Sequence, residues 1–383
     1  MKKIFLLAGV AVALLASCNS KPTGMVTESG LNPKDFEISK DGVQTQLYVL
    51  KNANGMEVSF TNIGARIVSI VVPNKEGKMT DVVLGFDSIG KYQRIPSDFG
   101  SAIGRYANRI NKGQITIEGK TIQLPTNNYG HCLHGGPEGW QYKIFAANQV
   151  NPQTIEFSVT SPDGEMNFPG TVNAKVTYTL TDDNAIDIQY EATTDKETVI
   201  NMTNHSYFNL NGDPSQPITN DTLYINADKF TPVDSTFMTT GEIASVFETP
   251  FDFTKPTTVG QRIDEDNQQL KNGHGYDHNW VLNTEGDINK LAARVSSPTT
   301  GIVLQVYTDQ PGIQIYTGNF LDGTVTGKHD ITYPHRSAIC LETQVYPDSP
   351  NKFIQGVKGW PTAYLKPGET YKHHTIFKFS VNK

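Results

Sequence analysis

Five stretches of this chain carry ionisable and amide side chains where strand alternation does not ask for them. They are Gly104-Arg105-Tyr106-Ala107-Asn108-Arg109-Ile110, His131-Cys132-Leu133-His134-Gly135-Gly136, Asn201-Met202-Thr203-Asn204-His205-Ser206-Tyr207-Phe208-Asn209-Leu210, Gly275-Tyr276-Asp277-His278-Asn279-Trp280, and Gly312-Ile313-Gln314-Ile315-Tyr316-Thr317-Gly318-Asn319 together with Leu341-Glu342-Thr343-Gln344. A carboxylate such as Glu342 and an imidazole such as His205 or His134 are proton-transfer groups. Asn108, Arg109, Asp277 and Gln314 supply the amide, guanidinium and carboxylate groups that hold hydroxyls. Each stretch also has a plainer reading. Arg105 and Arg109 read as surface charges, His205 as a core histidine, Asp277 as a turn residue and Glu342 as the wet side of an edge strand. His131 and His134 have a metal-like spacing without a third ligand nearby, so no metal site is expected.

The elements that must position these groups are strands. Val172, Ala174, Val176, Tyr178 and Leu180 alternate with Asn173, Lys175, Thr177 and Thr179, and the pattern resumes after Asp182-Asp183-Asn184 with Ile186, Ile188, Tyr190 and Ala192. Ile155, Phe157 and Val159 alternate in the same way upstream. Period-2 patterning between turn residues means antiparallel strands with one wet face. Further strands are expected at 44–50, 56–60, 66–72, 81–84, 114–117, 121–124, 145–149, 199–204, 222–226, 291–296, 302–308, 313–317, 337–343 and 371–380, with one short polar helix at 260–270. The absence of βα alternation excludes doubly wound and (β/α)₈ folds. No fixed-period repeat suggests a propeller. The expected class is all-β: a large antiparallel β-sandwich formed as a single domain over 35–383.

Composition narrows the partners. The 383 residues carry 32 Lys and Arg against 39 Asp and Glu, a formal charge of −7, and no basic cluster beyond Lys2-Lys3. Nucleic acid is therefore not an expected partner. Residues 1–17 read as a secretory signal: a basic start, an apolar run from Ile4 to Ala16 too short to span a bilayer, and a small residue before the cut. The ending Leu15-Ala16-Ser17-Cys18 resembles a bacterial lipobox, which implies lipidation of Cys18 and a lipid-anchored protein of the cell envelope facing the periplasm. Residues 18–34, rich in Ser, Pro, Gly and Asn, read as the lipidated end and a tether. Removing residues 1–17 leaves 366 residues with a formal charge of −9, because Lys2 and Lys3 are lost. Cys132 and Cys340 are too few for a disulfide framework.

Taken in order, Gly-Arg-Tyr-Ala-Asn-Arg-Ile, Leu-His-Gly-Gly, Thr-Asn-His-Ser-Tyr-Phe-Asn-Leu, Gly-Tyr-Asp-His-Asn, Ile-Gln-Ile-Tyr-Thr-Gly-Asn and Leu-Glu-Thr-Gln resemble the aldose 1-epimerase (galactose mutarotase) family over residues 45–383. The resemblance implies a galactose mutarotase-like supersandwich and exchange of the α- and β-anomers of free hexoses such as galactose and glucose, without a cofactor. It assigns Glu342 as the base on the C1 hydroxyl, His205 as the acid at the ring oxygen and His134 as an assisting histidine. Asn108, Arg109, Asp277 and Gln314 become sugar-binding or supporting groups, with Trp140, Tyr316 or Trp280 as apolar platforms. Such a pair asks for a carboxylate ionised at neutral pH and a histidine near its ordinary pKa of about 6.5. A monomer or weak dimer is expected. Two other readings stay open: a glycoside hydrolase using Asp277 and Glu342, and a non-catalytic glycan-binding lipoprotein.

Overall fold

The computed structural model describes residues 26–40 and 43–382. The signal segment and Cys18 lie outside the described residues. Of the segment read as a tether, residues 26–34 are described, and part of this stretch packs on the domain. The Glu28 amide donates to Glu57 Oε1 at 2.8 Å, the Ser29 hydroxyl reaches Ser69 at 3.0 Å, and Leu31 is buried. A short helical turn, Pro33–Phe36, follows and buries Phe36. The packed domain thus starts upstream of residue 35, because Leu31 and Phe36 join the apolar cluster around Phe86 and Phe99.

Among the described residues three antiparallel sheets dominate. The largest has nine strands, and its centre is Thr154–Ser161, Val172–Leu180, Ala185–Thr194, Tyr371–Val381 and Ile302–Thr308. Alternation is realised there as expected. Val172, Ala174, Val176, Tyr178 and Leu180 are buried, while Asn173 is exposed and Lys175, Thr177 and Thr179 are partly so. A four-stranded sheet, built from Leu47–Lys51, Glu57–Thr61, Arg66–Pro73 and Met79–Asp81, packs on this apolar face. Phe60 lies 4.9 Å from the Tyr178 ring, and the Tyr178 hydroxyl donates to the Ala65 carbonyl. The third sheet runs Ala244–Ser245, Lys229–Thr231, Asp277–Val281, Gly312–Tyr316, Cys340–Gln344. His373 of the large sheet ties into it, with Nε2 3.0 Å from the Thr343 hydroxyl. One apolar core serves all three sheets, which is the β-sandwich expected.

Several elements differ from the sequence reading. Asp277 begins a strand rather than a turn, and the strand Lys229–Thr231 beside it is not among the expected strands. Both are short, and Asp277–Val281 is buried almost throughout, so neither shows the alternation that marks a half-wet strand. The expected 199–204 strand is split into Thr198–Val199 and Thr203–Asn204, each paired with a different partner. The helix expected at 260–270 is confined to Gln268–Gly273, after a 3₁₀ turn at Val259–Gln261. Two further six-residue helices form at Ile89–Arg94 and Ser349–Ile354.

Candidate active site

Strand register assembles half of the site. In the five-stranded sheet Asn279 pairs with Gln314 and Gln314 with Glu342, while Asp277 pairs with Tyr316 and Tyr316 with Cys340. Side chains two apart on a strand share a face, and paired residues share it across strands. Asp277, Gln314, Tyr316 and Glu342 therefore stand on one face, although 65 positions separate the first from the last in sequence. The other face, with Leu341 and Ile315, enters the core. Glu342 is 2 % exposed, so it is not the wet side of an edge strand.

Loops supply the other half. Asn108 and His134 both adopt left-handed backbone, φ 66° and 51°, a conformation rare outside glycine and often found at functional sites. Their positions are coupled: the Asn108 amide donates to His134 Nδ1 at 3.1 Å, and the His134 amide donates to the Asn108 carbonyl. Since His134 Nδ1 accepts, its neutral ring carries the proton on Nε2. Gly135 (φ +80°) lets this loop close, because a Cβ there would stand 2.3 Å from the Gly104 carbonyl oxygen. Arg109 lies over the Phe237 ring, 4.8 Å from its centroid, and its Nε donates to Asn128. His205 is held from both sides of its backbone. The Gly100 amide donates to the His205 carbonyl, and the His205 amide donates to Ser101. Its ring stacks on Tyr207 at 5.0 Å with planes 12° apart.

These groups converge on one pocket of about 200 Å³, lined by Asn108, Arg109, His134, His205, Asp277 and Glu342, with Asp98, Asn128, Tyr129, Leu133, Tyr207, Tyr316 and Phe320. His205 Nε2 is 3.5 Å from Glu342 Oε1, and the His134 and His205 rings meet edge to face at 5.2 Å. Gln314 stands behind the wall rather than in it, donating to Asp277 Oδ1 at 2.7 Å. Glu342 Oε2 and His205 Nδ1 are buried without a protein hydrogen-bond partner. Unsatisfied buried polar atoms are costly, and their presence together in a pocket is the mark of a binding or reacting centre.

Burial reshapes the proton chemistry. It pushes the Glu342 carboxyl well above the usual carboxylate range, with the neighbouring Asp277 and Asp98 charges adding to this and Arg109 opposing it. It pulls His205 below the usual imidazole range, against an upward pull from Asp98, and pulls His134 down strongly. Asp277 is raised by burial despite Arg109 and Gln314. The expectation of an ordinary histidine beside an ordinary carboxylate is thus corrected. In the free protein burial favours the neutral forms of both members of the pair.

Some sequence candidates belong elsewhere. Arg105 is buried away from the pocket and donates to the carbonyls of Pro169, Gly170 and Ser161. His131 is a structural residue: its Nδ1 accepts the Lys112 amide and its Nε2 meets the Thr236 hydroxyl. Trp140 and Trp280 are core residues, so of the three suggested platforms only Tyr316 lines the pocket. Cys132 and Cys340 are free buried thiols. Asp98, Asn128 and Tyr207 line the pocket and are not among the site residues the sequence singles out. Tyr207 lies two residues from His205 within a quoted string, but Asp98 and Asn128 have no sequence signal. Asp98, His134 and His205 each offer one ligand atom, all within 4.8 Å of one another.

A profile of the aldose 1-epimerase family matches residues 46–378. The chain belongs to the aldose 1-epimerase family. The galactose mutarotase of mouse is 43% identical over 345 residues, covering 90% of this chain and 97% of the relative. The aldose 1-epimerase of Escherichia coli K12 is 38% identical over 346 residues, covering 89% and 97%. An aldose epimerase homologue from C. elegans superposes with a TM-score of 0.81 at 30% identity, covering 88% of this chain and all of that one. A galactose 1-epimerase from Lactobacillus acidophilus reaches 0.79 at 28% identity, with 90% and 97% coverage. Aldose 1-epimerase membership accounts for the β-sandwich and for the order of the motifs that converge on the pocket.

Proposed function

We propose that this member of the aldose 1-epimerase family interconverts the α- and β-anomers of free aldoses, galactose and glucose among them, through the open-chain aldehyde. Glu342 takes the proton of the C1 hydroxyl while His205, as the imidazolium, gives its proton to the ring oxygen. The C1–O5 bond breaks, and the C1 oxygen becomes the aldehyde carbonyl. Rotation about C1–C2 presents the other face of the carbonyl to the C5 hydroxyl. On ring closure the C5 hydroxyl gives its proton back to His205 while Glu342 returns its proton to the C1 oxygen, which restores both groups.

One observation carries the reading: a buried carboxylate and a buried imidazole face each other at 3.5 Å in a pocket of about 200 Å³. The C1 hydroxyl and the ring oxygen share one carbon, so a base and an acid this close together can serve both. His134, neutral with its proton on Nε2, donates a hydrogen bond at the ring and need not change charge. Arg109 and Asp277 grip hydroxyls, Asn108 orients His134, and Gln314 holds Asp277. Tyr316 and Phe320 offer apolar ring faces. A hydrolase reading would take Asp277 and Glu342 as its two carboxylates, and it leaves the two histidines without work.

The test is polarimetry of freshly dissolved α-galactose and α-glucose, with spontaneous exchange subtracted. Catalysed exchange with no cleavage of aryl glycosides supports the reading. Sugar binding without exchange, or aryl glycoside cleavage, overturns it.

We also propose that the protein is a lipid-anchored lipoprotein of the bacterial envelope, facing the periplasm and acting as a monomer or weak dimer. Leu15-Ala16-Ser17-Cys18 supports this, as does an alternating, polar-faced β-domain downstream. A Cys18→Ala variant should leave the membrane fraction with the specific activity of the domain unchanged. A mature N-terminus at any residue other than Cys18 contradicts the anchor.

A further inference from the structure

The reaction proposed above needs His205 charged in a buried pocket, and burial opposes that charge. The groups around its ring are His134 and Glu342 across the pocket, Tyr207 stacked beside it, Arg66 behind, Arg109 along the wall, and Asp98. Only Asp98 and Glu342 among them bring negative charge, and Glu342 must surrender its own when it acts as the base.

Asp98 is held in place with unusual thoroughness for a residue between helix and strand. Arg66 clamps the backbone on both sides of it, donating from Nη2 to the Ser97 carbonyl at 3.0 Å and from Nη1 to the Phe99 carbonyl at 2.7 Å. The Ser101 amide and hydroxyl both donate to the Asp98 carbonyl. The adjoining residues Gly100 and Ser101 bond His205 through its carbonyl and amide. The backbones that carry the carboxylate and the imidazole are therefore tied together through a short hydrogen-bonded path. Asp98 offers a carboxylate oxygen within 4.8 Å of ligating nitrogens of both His205 and His134. Its Oδ1 is buried with no protein partner, as is His205 Nδ1.

We infer that Asp98 is a positioning residue for the reaction, a fixed negative charge that favours the imidazolium of His205. The productive form of the pocket then reads as alternating charges: Asp98 negative, His205 positive, Glu342 negative, Arg109 positive. Arg109 lowers the Glu342 proton affinity, and Asp98 raises that of His205. Each outer charge supports the ionisation its neighbour needs. An opposite charge at such distances shifts a pKa by about 1–3 units.

Asp98→Asn keeps the shape and removes the charge. Asp98 raises the proton affinity of both Glu342 and His205, so its loss should slide the whole bell of kcat/KM against pH to lower pH by about one unit. At pH 8 the variant should be roughly ten-fold slower than wild type, while on the acid limb it should equal or exceed wild type. Asp98→Glu should restore the wild-type bell in large part. In parallel, the His205 ring resonance, assigned by its loss in His205→Asn, should titrate at lower pH in Asp98→Asn than in wild type. A uniform loss of rate with the bell in place, or an unmoved His205 titration, overturns the inference. If the wild-type chain shows no anomer exchange, the proposed function fails, and the His205 titration still decides whether Asp98 supports its charge.

Discussion

The strand Val172–Leu180 and the strand Cys340–Gln344 are both antiparallel, and they treat polar residues in opposite ways. The first alternates, with its apolar side chains in the core and its polar ones turned outward. The second is buried at every position, and Glu342, Thr343 and Gln344 are among the residues enclosed. Enclosing a carboxyl costs several kcal/mol unless it is paired or neutral. Thr343 has partners in His373 and Thr375, whereas Glu342 Oε2 has none. The large sheet thus supplies stability, and the small one spends part of it on a pocket. Substitutions should separate the two: changes in the small sheet's pocket face should alter rate and spare stability, and changes in the large sheet's core should do the reverse.

The largest effect is expected at His205. His205→Asn removes the acid and should lower kcat by about 10²–10⁴-fold with little change in Tm. Combined with loss of Glu342 it should cost less than the product of the single effects, because the two groups act as a unit. Phe157→Ala in the large sheet empties a fully buried site and should cost about 3–5 kcal/mol by denaturant unfolding, with kcat unchanged in the protein that remains folded. A rate defect there at full folding would break the separation.

Asp221 sharpens it from another side, as a buried carboxyl that lines no part of the pocket. It precedes the strand Thr222–Ile225, neither oxygen has a protein partner, and burial pushes it up to about 8. A carboxyl whose folded pKa is raised contributes stability that is intact below its unfolded value and is lost as pH rises through the folded value. Wild-type stability should therefore fall between about pH 4 and 8. Asp221→Asn should flatten that fall by on the order of 5 kcal/mol without touching the rate. An unchanged slope in pH-dependent thermal melts would show that the carboxyl is already satisfied. Asp277→Asn is the mildest of the series, raising KM by the equivalent of about 1–3 kcal/mol. A steep fall in kcat at constant KM would move Asp277 into the proton chemistry.

The same contrast explains what the sequence reveals. Strands with one wet face announce themselves, and Val172–Leu180 and Ala185–Thr194 were legible residue by residue. Asp277–Val281 was not, because both of its faces are covered and its polar residues belong to the pocket. Glu342, His205, His134, Asn108, Arg109 and Asp277 were found through the motif strings and do converge on one cavity. Register explains their meeting, and no local pattern encodes it. Asp98 escaped because its role depends on the Arg66 clamp and on bonds from Gly100 and Ser101 to His205, contacts that arise only in the folded chain. The direction of the Glu342 and His205 shifts escaped for the same reason: burial is a property of the assembled sheets.

The central claim is that Glu342 is the base for anomer exchange, and Glu342→Gln tests it most directly. The amide keeps the size and the hydrogen bonding of the side chain while removing its ability to take a proton. With fresh α-galactose, background exchange subtracted and Tm shown to match wild type, the polarimetric kcat should fall by about 10²–10⁴-fold at every pH. Near-wild-type exchange with an intact acid limb would contradict the account and leave Asp277 as the carboxylate to examine.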